Sequence, residues 1–310
     1  MAVGDKITAT SYNDIQSVIG QVLGTGSGAF GYGQSLNSNQ VSVNATVTTT
    51  QWRNLRLDIL RARQHQTGTD LTGSLTYPTT DTRINESDRA AYAQMAYDAS
   101  LDANRLAPPP ANQATRENLV TTQTRTSNWN GTLTQTITVN FADANAARYY
   151  FNTGSRFEFS ASRTGGVGGA KDTSWTTLLS GMGTVYFNRS NTTCTGTGNT
   201  TSIGWLSLSA SDQIVFSKDT SNTIYYPNQY RIYARAPSAS QIIFTIQWRD
   251  DSTGATQSQN GGGNPVYPQF AIDEDVTGTL SSTVQVYRAA YGAVGDNVTV
   301  PTPPASTTSF

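Results

Sequence analysis

DANAARYYFNTGSRFEFSASRTGGVGGAKDTSWTTLLSGMGTVYF, residues 143–187, holds several kinds of local signal in one short run. A short amphipathic turn opens it. Phe157, Phe159 and Ala161 then alternate with Arg156, Glu158 and Ser160, the period of a half-buried strand. Glycines from Gly165 to Gly169 let the chain turn. Asp172-Thr173-Ser174 reads as the start of a second helix, whose stripe is Trp175, Leu178, Leu179 and Met182. Glycines, a Lys, an Asp and a Ser so close together invite an active-site reading. No His, paired acid or metal ligand joins them, so the run reads as architecture. Tyr150, Phe151, Phe157, Phe159, Trp175, Leu178, Leu179, Val185 and Phe187 are the expected core of the body around it.

Outward from that run, the period stays at two. Leu133, Ile137 and Val139 alternate with polar residues, as do Tyr230, Ile232 and Ala234, and Ile242, Phe244, Ile246 and Trp248. Ile214 with Phe216, and Val284 with Val286, add further strands. Short strands between Gly, Asn, Asp and Ser turns imply a β-sandwich of jelly-roll type over residues 118–295, with 296–310 as a C-terminal tail. The fold class is mainly β, preceded by a small N-terminal repeat of short helices.

That repeat occupies residues 1–70. Ile7 to Ile15 recurs as Val47 to Leu55, an offset of 40 residues, with Thr8/Thr48, Thr10/Thr50 and Ile19/Ile59 identical. In each copy an extended piece (Lys6 to Ala9; Thr46 to Thr49) meets a threonine able to cap a helix. Ile15, Val18, Ile19, Val22 and Leu23 then fall at helical spacing, as do Trp52, Leu55, Ile59 and Ala62. The glycine-rich loop from Gly24 to Gln34 lacks the Lys-Ser/Thr of a P-loop and the βαβ setting of a dinucleotide fingerprint. Phe30 and Tyr32, flanked by glycines, read as plugs that pack the loop onto a neighbouring surface, in cis or in a partner subunit. Trp52 joins them as a candidate docking residue. Residues 71–117 read as a linker region. It holds a third helix capped by Ser87, a degenerate third copy around Ile84 to Ser87, and a proline spacer at 107–111.

Charged residues make up 13% of the 310 residues, against about 25% in an average globular chain. Thr, Ser, Asn, Gln and Gly fill the deficit. The net charge is -1 and the 20 basic residues are dispersed, so there is no electrostatic footprint for nucleic acid. The densest basic run, Arg53, Arg56, Arg61 and Arg63, reads as the solvated face of a helix. No apolar run reaches the ~20 residues of a membrane span, and no signal-peptide pattern opens at Met1. A single cysteine, Cys194, excludes an internal disulfide framework. His65, the only histidine, reads as a helix-end residue bonded to a terminal carbonyl rather than a metal ligand. Asp250-Asp251 and Asp273-Glu274-Asp275 are the dense carboxylates. They read as a turn and a solvated loop, with calcium binding and a glycosidase pair as alternatives. Tyr225, Tyr226 and Tyr233 are candidates for stacking on a glycan, and equally for a core or a subunit interface. No cofactor is implied.

Arg148 to Gly154, Phe157 to Arg163, Lys171 to Trp175 and Gly183 to Phe187 together resemble a β-domain of virion structural proteins in tailed bacteriophages, the T4-like phages of cyanobacteria in particular. Val3-Gly4-Asp5-Lys6-Ile7-Thr8-Ala9-Thr10 is similar to the opening of such proteins. The resemblance implies a non-enzymatic particle component of neck/tail fibre or appendage type. Its expected partners are other virion proteins and further copies of itself. A capsid decoration protein, or a receptor module for a host surface glycan, are the alternatives.

Overall fold

Thr8 and Thr48 start the first two helices, earlier than the extended pieces imply. The computed structural model describes residues 7–80, 84–106, 114–221, 225–226, 228–252, 275–289, 294, 298 and 301–309. Within it the chain divides into two units. One gathers Met1–Glu117, Phe141–Arg156 and Tyr287–Pro301; the other gathers Asn118–Asn140, Phe157–Val286 and Thr302–Phe310.

The first unit is helical. Thr8 Oγ1 accepts the Ser11 N–H at the start of α1 (Ala9–Leu23). Thr48 and Gln51 form a reciprocal capping box on α2 (Thr49–Thr67), and Gly68 ends that helix in the left-handed conformation. Asn85, not Ser87, caps α3 (Glu86–Ser100), with Asp88 completing its box. Asp88 stands 40 residues after Thr48, so α3 begins one turn early relative to the repeat. The core keeps the repeat's register nonetheless. Tyr12, Trp52 and Tyr92 follow one another at the same 40-residue interval and are all buried. Tyr12 meets Trp52, and Trp52 meets Tyr92, edge to face with centroids 5.3 Å apart in both pairs. Ile19, Ile59 and Ala99 repeat the interval and the burial. The supposed linker is therefore part of this core: Leu75, Tyr92, Ala96 and Ala99 are buried in it. The proline spacer lies outside the described residues.

After α4 (Asp102–Arg105), the helix α5 (Ala144–Asn152) belongs to the helical unit and not to the sandwich. Tyr150 and Phe151 pack against each other and against Phe141, with ring centroids 5.1 to 6.0 Å apart. Arg148 donates to the Phe30 carbonyl at 2.5 Å, and Asn152 donates to the Phe30 and Gly31 carbonyls. An apolar stripe states that a helix is buried, not which layer buries it.

The second unit holds two antiparallel sheets, so the whole is a β-rich mixed fold with N-terminal helices. One sheet has the order β1 (Ala114–Arg125), β10 (Thr279–Ala289), β3 (Arg156–Thr164), β4 (Val185–Phe187), β5 (Thr192–Cys194). The other runs β11 (Thr302–Ser309), β2 (Gly131–Asn140), β9 (Gln241–Asp250), β8 (Gln229–Ser238), β7 (Gln213–Asp219), β6 (Asn199–Thr200). Phe157, Phe159 and Phe187 of the first sheet meet Phe244 of the second at 5.5, 4.9 and 5.1 Å, a sandwich-like aromatic core. At one side Thr192 and Thr201 exchange two backbone hydrogen bonds, 2.9 and 3.3 Å, between β5 and the residue after β6. The expected tail at 296–310 instead contains β11, paired from Thr302↔Asn140 to Ser309↔Thr134. Its sequence carries two prolines and no apolar alternation, which an edge strand tolerates.

Candidate functional site

The helix α6 (Ala170–Met182) places Lys171 and Asp172 in its first turn. Gly169 is its N-cap, so Asp172-Thr173-Ser174 lies inside the helix instead of capping it. Trp175, Leu178, Leu179 and Met182 form the buried stripe as the spacing predicts. Lys171, one turn before Trp175, lies on that stripe and is fully buried. On β9 the buried positions are Ile242, Phe244, Ile246, Trp248 and then Asp250. The period-two register thus puts a carboxylate on the apolar face.

These two misfit charges find each other. Lys171 Nζ donates to Asp250 Oδ2 at 2.8 Å and to the Ser252 carbonyl at 3.1 Å, and both charged side chains have no exposed surface. Ser252 Oγ donates to Asp250 Oδ1 at 2.9 Å, and the Ser252 N–H donates to Asn228 Oδ1 at 2.9 Å. Burial pushes the Asp250 carboxyl above its usual range, opposed by the Lys171 ammonium and by the Ser252 and Asn228 side chains. The turn read from Asp250-Asp251 is therefore a strand end with a buried acid. Asp251 pairs outside with Arg249 at 2.9 Å. Asp273 and Glu274 lie outside the described residues, and Asp275 is exposed.

A second buried pair braces the same turn. Arg163 contacts Asp172 at 2.5 Å, and Asp172 also accepts from the Thr277 N–H at 2.8 Å, the Thr277 hydroxyl at 2.5 Å and the Gly168 N–H at 3.2 Å. Beside it, Ala170, Thr173, Ser174, Thr177, Thr220 and Ser221 line an open pocket of about 420 Å³. Its polar groups are hydroxyls, and Ser174 and Thr220 hydrogen-bond each other at 2.7 Å.

The other sequence candidates fall elsewhere. Trp52 and Tyr32 are core residues of the helical unit. Tyr32 stands edge-on to His65 at 5.3 Å and donates its hydroxyl to the Arg105 carbonyl at 3.0 Å. Phe30 is half-buried beneath the Arg105 guanidinium, 3.8 Å from the ring centroid. These three pack within their own unit, and Tyr32 and Trp52, being buried, leave little surface for a partner. Tyr225 is buried, which withdraws it from glycan contact. Tyr226 is exposed, and Tyr233 is half-buried with its hydroxyl accepting from Arg231 at 3.1 Å. His65 does bond a helix-end carbonyl, but that of Thr153, the C-cap of α5, at 2.9 Å. A carbonyl only accepts, so Nε2 carries the proton. Nδ1 has no hydrogen-bond partner among the described residues. Burial depresses its pKa to about 4, partly opposed by the Thr153 bond. Cys194 is half-buried and free. The basic run is not a solvated face: Arg53 and Arg56 donate to the Pro78 and Leu75 carbonyls, and both lie against the Tyr77 ring. Buried Asp58 accepts from Asn37 and Ser38, a role without a local sequence signal. Among the described residues there is no group of three metal-ligating side chains and no helix long and apolar enough to cross a membrane. Comparison with protein-family models, curated proteins and solved structures finds no match.

Proposed function

We propose that this chain is a non-enzymatic structural component of a tailed-bacteriophage virion, of neck/tail fibre or appendage type. The resemblance of residues 148–187 carries the reading, and one structural observation supports a structural role for the buried charged groups. The buried ionisable groups Asp58, Asp172, Asp250 and His65 each hold elements of the fold together. Such groups act as braces. The helical unit is the docking module in this proposal. Its contact surface would draw on Leu57, Tyr97 and Leu101, which are exposed, and not on the enclosed Phe30, Tyr32 and Trp52. The two-sheet unit is the projecting or bridging part, with jelly-roll-like topology. Two pairings support that topology: β1 lies beside β10 in one sheet and β2 beside β9 in the other, so early and late strands pair in both layers. The consecutive run β6-β7-β8-β9 in one sheet departs from a simple jelly roll.

Immunogold labelling of intact particles tests the assignment. Label on the neck or tail is the expected result. Label on the head moves the chain to the capsid-decoration alternative, and particles without label refute a virion role. Tyr226 keeps the glycan-receptor alternative in play, because its ring is exposed. A glycan array probed with the full chain decides it: uniform silence removes that alternative.

A further inference from the structure

Lys171 and Asp250 are the least explained residues of the two-sheet unit. Each sits at a core position of its element, 79 residues apart in sequence, and each side chain is wholly removed from solvent. An ion pair at such a site bears the desolvation cost of two charges. A proton passed from the ammonium to the carboxylate across the 2.8 Å hydrogen bond leaves a neutral amine facing a neutral carboxylic acid. That pair is chemically complete for condensation.

We propose that Lys171 and Asp250 condense to an intramolecular isopeptide bond, Nζ to Cγ, that ties the first turn of α6 to the end of β9. The lone pair of the neutral Lys171 amine adds to Cγ of the protonated Asp250 carboxyl. Negative charge then develops on Oδ1, the oxygen that receives the Ser252 hydroxyl at 2.9 Å. The Ser252 carbonyl accepts one N–H at 3.1 Å and so orients the amine. A proton moves from Nζ to Oδ2, the C–Oδ2 bond breaks, and one water leaves. One C–N bond replaces one C–O bond with no change in oxidation state, so no oxidant, cofactor or second protein is required. The burial that raises the Asp250 pKa favours the protonated acid that the step consumes. The surrounding barrier to water opposes the reverse hydrolysis. The product removes both buried charges and closes the segment from 171 to 250 covalently. This proposal does not depend on the virion reading.

Intact mass spectrometry of the purified full-length chain under denaturing conditions tests it. The expected mass is about 18 Da below that of the sequence, one water lost. Tryptic digestion is expected to yield a branched peptide joining residues 164–189 to residues 250–288, uncut after Lys171. The Lys171→Arg variant is expected to show the full mass of its own sequence and separate peptides. A wild-type mass equal to the sequence, with cleavage after Lys171 and the two peptides recovered apart, overturns the proposal. So does a water loss that maps to any other residue. The wild-type measurement decides the matter even where the variant fails to fold.

Discussion

His65 shows how one side chain can set a pH limit on a fold. Its folded pKa of about 4 lies below the ordinary histidine value of 6.5 because burial penalises the imidazolium. Between those values the unfolded chain binds a proton and the folded chain does not. Stability is therefore fully present above pH 6.5 and is lost as the pH falls through 4. The gap corresponds to roughly 3 kcal/mol. Denaturant titrations at pH 7 and pH 4.5 are expected to show this loss in the wild type. In His65→Gln, whose amide can still donate to the Thr153 carbonyl, the loss should be smaller; equal pH slopes would place the titration elsewhere. Trp175 is a test of packing, not charge. It is almost wholly buried and stands edge-on to Trp129 with centroids 5.7 Å apart. Trp175→Ala is expected to cost about 3–5 kcal/mol in equilibrium unfolding, and a loss below about 1 kcal/mol would contradict its place in the core.

At the scale of elements, the glycine loop after α1 gives the sharpest prediction. Gly33 has φ +70, and a Cβ there would come within 2.4 Å of the Tyr149 ring on α5. Gly33→Ala therefore meets both left-handed backbone strain and a steric clash, and is expected to cost about 1–3 kcal/mol. Gly28→Ala, in an open position of the same loop at φ +57, meets only the strain and should cost less. Thermal unfolding of the two variants separates the terms. Helices α1 and α2 were legible in the sequence because cap, stripe and stop are all local signals, and the 40-residue echo repeats them. The strands with strict alternation, β2, β8 and β9, were legible for the same reason. The address of α5 was not, since its contacts with Phe30 and Gly31 lie more than 100 residues away in sequence. Strand β11 was not, because Thr302 to Ser309 carries no apolar alternation in its sequence, and its register against β2 is a matter of backbone pairing. The Lys171–Asp250 site was half-legible. Each charge stands in phase with an apolar face, a signal readable in the sequence, but its partner is fixed only by the fold.

For the whole molecule, the division of the chain matters more than its linear order. A cut at the proline run reads naturally as a domain boundary, with the helices before it and the strands after. The helical unit nevertheless draws on Phe141–Arg156 and Tyr287–Pro301. His65 needs the Thr153 carbonyl, the Phe30 and Gly31 carbonyls are met by Arg148 and Asn152, and Val294 packs into the core of α1, α2 and α3. A fragment ending at residue 106 would lose all of these partners and expose the buried faces that receive them. Uncovered apolar area costs about 25 cal/mol per Å², and a small helical domain has only a few kcal/mol in reserve. Residues 1–106 alone are therefore expected to melt well below the full chain, or without a cooperative transition, in circular dichroism at 222 nm. Adding 141–156 as a separate peptide should raise the melting temperature, because binding to the folded form alone stabilises it by mass action. A fragment that melts with the cooperativity and midpoint of the helical transition in the full chain would show that α5 decorates the unit instead of completing it.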